Sequence, residues 1–182
     1  IFYRLTGRYP CQVHVKSHQM QIESVMQDLG QDQWEWVWNK VHIPGYTNEE
    51  GQPIWYQDAP WVQISEFADW TEVAQWGNKL FSLPQNLPQS LVNQIATWKS
   101  QHHTTEDLAT AATRFVQDKI ALVASDTNEL HYPGDLDRIM RLGKADSVDK
   151  AYLLKTILHA LGIRVNVAAV SASHRRAVTD WL

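Results

Sequence analysis

The sequence predicts an α+β protein with a β-rich N-terminal part and a helix-rich C-terminal part. In the first part, tryptophan alternates with other residues from Trp34 to Trp38, which is the two-residue period of a strand. Several such short runs with turns between them suggest an antiparallel β-sandwich or part of one. In the second part, apolar residues recur at spacings of three and four, the period of helices that bury one stripe.

Composition limits the classes of function. The chain has 182 residues, of which 44% are hydrophobic and 20% charged, as in ordinary globular proteins. Its net charge of −4 argues against nucleic acid as a partner. Cys11 is the only cysteine, so neither an intramolecular disulfide nor a cysteine zinc site can form. The eight histidines show no metal spacing, and we expect no metal or cofactor. No apolar run approaches the roughly 20 residues of a transmembrane segment.

Residues 1–68 form the predicted β-rich domain. Its clearest strand is Gln33–Val41, which follows a turn at Gly30. Proline, glycine and asparagine recur between Pro44 and Pro60, which predicts a long loop. The other strands are expected at residues 1–5, 12–16, 19–26 and 61–64.

Residues 69–88 are predicted to be a helix followed by a linker. Asp69 with Glu72 three residues later is typical of a capping box at a helix start. Pro84 and Pro88 then interrupt the chain and indicate a domain boundary.

Residues 89–182 form the predicted second domain. Helices are expected over Ser90–Lys99, from Thr104 to about Val116 and over Asp135–Leu142, with a strand-like run at Ile120–Ala124.

The best-defined element of this domain is a helix that begins at Asp146 or Ser147 and ends before Gly162, which suits a left-handed helix stop. The residues Ile163–Val170 then alternate like a strand. The predicted buried stripe of the helix consists of Val148, Ala151, Leu154, Ile157, Leu158 and Leu161.

This helix and the residues before it resemble the nucleophile helix of the transglutaminase-like superfamily, which has a papain-like fold. The resemblance rests on Arg141, Gly143, Asp146, Asp149, Lys150, Ala151, Leu153 and Leu154. Residues 60–67, 70–74 and 114–120 resemble, more weakly, bacterial proteins in which a β-rich domain of unknown function precedes such a domain. The resemblance implies that residues 89–182 are the N-terminal half of a transglutaminase-like domain in a longer polypeptide. It also implies a periplasmic or cell-envelope location.

The family's chemistry is acyl transfer or amide and peptide hydrolysis through a Cys-His-Asp triad, with a protein or peptide as substrate. Ser147 occupies the cysteine position and is the candidate catalytic residue. A serine hydroxyl is not ionised near neutral pH and needs a well-aligned base, so we expect an inactive chain. His159 lies about 18 Å further along the helix axis and cannot serve as that base. His174 can return to the level of Ser147, but we assign it no role, and no acid partner is assigned.

Two other interpretations stay open at this point. Asp146 and Ser147 are both favoured helix caps. In this interpretation either residue satisfies free backbone N–H groups and has no catalytic role. The chain can also be a non-catalytic module that binds a peptide or glycan, either beside Ser147 or on the sheet that carries Trp34, Trp36 and Trp38. Those three tryptophans are more typical of a buried core than of a binding platform.

Overall fold

The computed structural model describes residues 2–8, 12–43, 45–47, 50–53, 56, 59–124 and 132–170. It confirms the α+β class. The elements, in chain order, are β1 (Phe2–Arg8), β2 (His14–His18), β3 (Ser24–Gly30), β4 (Gln33–Asn39), β5 (Trp61–Ser65), α1 (Trp70–Leu80), α2 (Gln89–Gln101), α3 (Thr105–Lys119), β6 (Ala121–Leu122), α4 (Leu136–Leu142), β7 (Lys144–Ala145) and α5 (Ser147–Ala160).

The chain divides into two compact units: the first comprises the described residues up to Ala74 together with Val170, and the second comprises Gln75–Ala169. The division falls within α1. The domain limits expected from the sequence, at 68/69 and 88/89, stay a prediction. Cys11 and His174 lie outside the described residues.

The first unit contains two antiparallel sheets. In one, β4 lies between β1 and β3, with Tyr3 opposite Trp38 on β1 and Ser24 opposite Trp38 on β3. In the other, β2 pairs with β5 so that His18 lies opposite Trp61. Because a strand presents alternate residues to one face, Trp36 and Trp38 are directed to the same side of β4. They are only 6% and 1% exposed, so these two tryptophans are core residues and not an open platform.

The start of α1 is capped by Asp69 as the sequence indicates, but the reciprocal bond of a capping box goes to the residue before the cap. The carboxylate of Asp69 accepts hydrogen bonds from the backbone N–H groups of Thr71 and Glu72, at 2.7 and 3.0 Å. The Glu72 carboxylate in turn accepts from the N–H of Ala68 at 2.8 Å. The donated N–H of Glu72 lowers the pKa of Asp69, because it stabilises the ionised form.

The second unit is a helical cluster around α5. Its core includes Leu91 and Ile95 of α2, Ala112 and Val116 of α3, Leu136 and Ile139 of α4, and Leu153 and Ile157 of α5. Trp98 and Phe115 meet edge to face, with ring centroids 5.3 Å apart. The short parallel pair β6–β7 joins the end of α3 to the approach to α5.

The predicted buried stripe of α5 is only partly right. Ile157, Leu158 and Leu161 are buried, as expected, but Val148, Ala151 and Leu154 are only half-buried. Four further residues of α5, which the predicted stripe does not include, are buried: Asp149, Tyr152, Leu153 and Thr156. The reason is that α2, α3 and β7 all contact α5, so the helix is covered on more than one side. A prediction that assumes one buried stripe therefore omits some of the buried residues.

The segment after α5 also differs from the expectation. Gly162 has a φ of 84°, which confirms the left-handed helix stop, and the N–H of Ile163 bonds back to the Leu158 carbonyl. From Ile163 to Ala168 half-buried and exposed residues alternate, as in a strand. No strand pairing forms there within the described part of the chain, so these residues do not form the predicted strand.

Candidate active site

Ser147 is the first residue of α5, and its side chain is exposed. Asp146 caps this helix: its Oδ1 accepts the backbone N–H of Asp149 at 2.8 Å, and its carbonyl accepts the N–H of Lys150 at 3.0 Å. The two capping interpretations are therefore resolved in favour of Asp146. Ser147 is left with an exposed hydroxyl at the positive end of the helix dipole.

Asp149 fixes the first turn of α5 to the loop before α4. The residue is only 5% exposed, and its Oδ1 accepts the backbone N–H of Gly134 at 2.7 Å. A Cβ on Gly134 would lie 3.1 Å from the same oxygen, so any larger residue there would force the carboxylate to shift by a few tenths of an ångström. A buried carboxylate is stable only when hydrogen bonds compensate for its lost hydration. The Asp149–Gly134 bond therefore couples two segments that are 15 residues apart.

The approach to Ser147 is held by β6, β7 and Lys150. The N–H groups of Ala121 and Val123 bond to the carbonyls of Gly143 and Ala145, at 2.8 and 3.0 Å. The Lys150 ammonium donates to the Ile120 carbonyl at 2.6 Å. This contact ties the end of α3 to the first turns of α5.

Gly143 ends α4 and turns the chain into β7. Its φ is 61°, and its N–H donates to the Ile139 carbonyl at 2.9 Å, which is a left-handed helix cap. Of the two other residues in the matched stretch before the helix, Arg141 is exposed in the last turn of α4 and Asp146 is the cap described above. Gly143 therefore serves the backbone, because glycine adopts this left-handed conformation without strain.

A cavity of about 200 Å³ adjoins the start of α5. Asp146 and Asp149 line it on one side, while Arg138 and Lys144 contribute two exposed cations. Both carboxylates already accept backbone N–H groups, whereas neither cation is in an ion pair within the described part of the chain. The remaining lining is mainly apolar and comes from Val123, Ala124, Ile139, Leu142 and Ala145.

The described residues around this cavity do not include a histidine. His159 is exposed in the last turn of α5, at the end opposite Ser147, as the sequence indicates. His174 is outside the described residues. Across the same described ranges, no group of three or more His, Cys, Asp or Glu residues is arranged to hold a metal ion.

The geometry favours negative charge at position 147 without supplying a base. Free N–H groups and the dipole at a helix start stabilise an anion, such as a thiolate or the oxyanion of an acyl intermediate. A serine hydroxyl gains little from this, because its proton must first be removed. Position 147 therefore favours an anion but lacks the base that a serine nucleophile needs among the described residues of the adjacent cavity.

Sequence reasoning located Ser147, Asp146 and Asp149 but missed Gly134, Arg138 and Lys144. Gly134 lies just before α4, and nothing in the sequence pairs it with Asp149. Arg138 and Lys144 are ordinary surface residues by pattern. They line one cavity because α4 and β7 bring them to the same side of the start of α5.

Comparison with known proteins gives a fold and no family. The chain is similar to a protein from Parabacteroides distasonis whose crystal structure is described as that of a "putative protease", with a TM-score of 0.68 and 13% sequence identity. The match covers 88% of this chain and 32% of the other, so this chain spans about a third of that protein. No family model matches the sequence, and no curated protein matches it either. At this identity the likeness shows a shared fold alone.

The described helices include none that is long and apolar enough to cross a bilayer.

Proposed function

We propose that the second unit is a transglutaminase-like acyl-transfer scaffold with its nucleophile position at Ser147, and that the chain does not turn over amide or peptide substrates as it stands. The observation that carries this proposal is the position of Ser147 as the exposed first residue of α5. A nucleophile needs access to substrate and a local field that favours its anion, and this position offers both.

The surroundings of Ser147 support the same proposal. Asp146 and Asp149 lock the first turn through bonds of 2.8 and 2.7 Å to backbone N–H groups. Rigid positioning of a reactive atom is a general requirement of catalytic sites. The similarity in fold to a protein described as a protease agrees with amide chemistry, although that protein is about three times as long.

The lack of turnover follows from the residue type. Serine needs a base for each attack, and the described residues that line the adjacent cavity include no histidine. Cysteine at the same position would be partly ionised near neutral pH without a dedicated base.

The test is the ionisation of a cysteine placed at position 147. In a Cys11→Ser background, the pH profile of iodoacetamide alkylation is measured for Ser147→Cys. The matched control is Ser100→Cys, which lies on an exposed site near the C-terminal end of α2. We expect the midpoint for Ser147→Cys to lie about one pH unit or more below the ordinary thiol value of about 8.5, and the control to lie at or above that value. Coincident profiles would overturn the proposal.

A second candidate is a peptide-binding module without chemistry, favoured by the two cations of the cavity beside α5. Arg138 and Lys144 have no ion-pair partner within the described residues, so they can donate hydrogen bonds to a carboxylate of a bound peptide. Binding of a fluorescein-labelled Glu-containing peptide, compared with its Gln counterpart, tests this. We expect the Glu peptide to bind several-fold more tightly, and R138A together with K144A to remove the difference. Equal affinity for both peptides would exclude this binding mode.

A further inference from the structure

A groove of about 690 Å³ runs along α3 in the second unit, and Ser147 is not among the residues that line it. The lining comes from α3, from the C-terminal half of α2 with its cap, and from the end of α4. Trp98 and Phe115, whose rings meet edge to face at 5.3 Å, are both part of it. The groove is open along one side, whereas a small-molecule site encloses most of its ligand, so its shape suits a helix of a protein partner.

One ridge of α3 lines this groove over most of the length of the helix. It consists of four residues spaced by four: Asp107, Ala111, Phe115 and Lys119. Residues four apart form a continuous ridge on a helix surface. At the rise of an α-helix this ridge extends about 18 Å along the axis. The two end residues are exposed and the two central residues are half-buried, so all four side chains are accessible at least in part.

The order of these side chains makes the ridge complementary to itself. When a second α3 lies antiparallel to the first, Asp107 of each copy meets Lys119 of the other. In the same register Ala111 of each copy meets Phe115 of the other, and a small side chain opposite a large one lets two helix surfaces interdigitate. Ridges of this spacing pack side by side in the commonest class of helix pairs, at a crossing angle of about −50°.

The charges on α3 are compatible with this pairing. Lys119 makes no ion pair within the described part of the chain, and the Asp107 carboxylate accepts one local hydrogen bond there, from the Thr104 hydroxyl at 2.7 Å. An ionised carboxylate has room for further donors. On the neighbouring ridge, Arg114 and Asp118 carry opposite charges, so they add no net repulsion between two copies. An acid near the start and a base near the end of a helix also suit its dipole, so the argument for a partner needs the Ala–Phe pair between them.

We propose that this groove is a self-association site, in which α3 of a second copy of the chain packs antiparallel against α3 through the ridge from Asp107 to Lys119. Each contact occurs twice, because an interface with two-fold symmetry uses the same surface on both copies. Two ion pairs therefore flank two Ala–Phe contacts, and Trp98 supports each Phe115 ring. The interface is small, so the association is weak and depends on concentration.

Sedimentation equilibrium of the full chain under reducing conditions, between about 5 and about 500 µM, measures this association. We expect the average mass of the wild type to rise with concentration toward twice the monomer mass. D107K and K119D each place like charges opposite one another in both end contacts, so each should weaken association at least about tenfold. E106K is the matched control, because Glu106 is exposed in the same turn but does not line the groove, and it should associate as the wild type does.

An equimolar mixture of D107K and K119D tests the antiparallel register itself. One chain then has lysine at both ends of the ridge and the other has aspartate at both ends, so a heterodimer regains both attractive contacts. We expect the mixture to associate at least about tenfold more tightly than either variant alone. A111Q supplies a test that does not depend on the charge variants, because its longer side chain occupies the space of the opposing Phe115 ring and should weaken association about tenfold.

Far-ultraviolet circular dichroism checks that each variant is folded. The proposal is overturned if the wild type stays monomeric over the whole concentration range, or if E106K weakens association as much as D107K does. It is also overturned if the mixture associates no more tightly than its components, or if A111Q associates as the wild type does.

Discussion

The carboxylate of Asp149 holds the candidate nucleophile turn in place, and its removal should therefore destabilise the second unit. D149A removes the acceptor of the Gly134 N–H, a bond of 2.7 Å to a residue that is 5% exposed. A hydrogen bond to a charged group contributes about 1.5–3 kcal/mol. Loss of negative charge from the first turn adds about 0.3–1 kcal/mol, which the higher helix propensity of alanine roughly offsets. We expect a net loss of about 2 kcal/mol.

Gly134 allows a sharper form of this experiment. In G134A the new Cβ would lie 3.1 Å from Asp149 Oδ1, so the carboxylate must move, at a cost of about 1 kcal/mol. In the D149A background that contact does not exist, and the φ of Gly134 lies outside the left-handed region, so alanine is unstrained there. The double variant should be less destabilised than the sum of the single variants, by about 1 kcal/mol.

Urea unfolding followed by far-ultraviolet circular dichroism gives these free energies. D149N is the conservative control, since it keeps an acceptor oxygen and should lose less than D149A. D137A is the surface control, because Asp137 is an exposed carboxylate in the first turn of α4, and its removal should cost less than about 1 kcal/mol. The reasoning is refuted if D149A unfolds within about 0.5 kcal/mol of the wild type, or if the effects of G134A and D149A are strictly additive.

Two further predictions concern the other faces of α5. I157A should destabilise the second unit by about 2–5 kcal/mol, because Ile157 is 0% exposed. V148A changes a half-buried position and should cost about 1 kcal/mol or less. Similar losses for the two variants in urea unfolding would contradict the described packing. Burial raises the pKa of Tyr152 above its ordinary value of 10.0, so the folded state keeps this proton more tightly than the unfolded state does. The resulting stability is present below about pH 10 and is lost as the pH rises through the folded pKa. The unfolding free energy of the wild type should therefore fall relative to that of Y152F between about pH 8 and about pH 11. A constant difference over that interval would show that Tyr152 does not titrate differently in the folded state.

Local patterns predicted the elements that depend on neighbouring residues. The Asp69 helix cap, the left-handed stop at Gly162 and the burial of Trp36 and Trp38 all follow from spacings of a few residues. The α+β class follows from the order of those elements. Ser147 was found at the start of its helix for the same reason.

The remaining features depend on contacts between distant segments. The burial of Thr156 and Asp149 reflects elements that cover α5 from several sides, and a single-stripe pattern cannot show this. The Lys150–Ile120 bond spans 30 residues, so no local sequence pattern contains it. Ile163–Val170 has the alternation of a strand, but a strand also needs a partner, which no single segment can specify.

The most direct measurement of the central claim is acyl transfer to position 147. In the Cys11→Ser background, Ser147→Cys and Ser90→Cys are incubated with p-nitrophenyl acetate, and acetylation of each cysteine is quantified by peptide mass spectrometry and normalised to its thiolate fraction. Ser90 is a matched control, because it is exposed in the first turn of α2. We predict at least about tenfold faster acylation per thiolate at position 147, because a built site stabilises the acyl oxyanion as well as the thiolate. The Cys11→Ser chain that keeps Ser147 should release no nitrophenol above background. Equal acylation at the two positions would mean that Ser147 lies at an ordinary helix start.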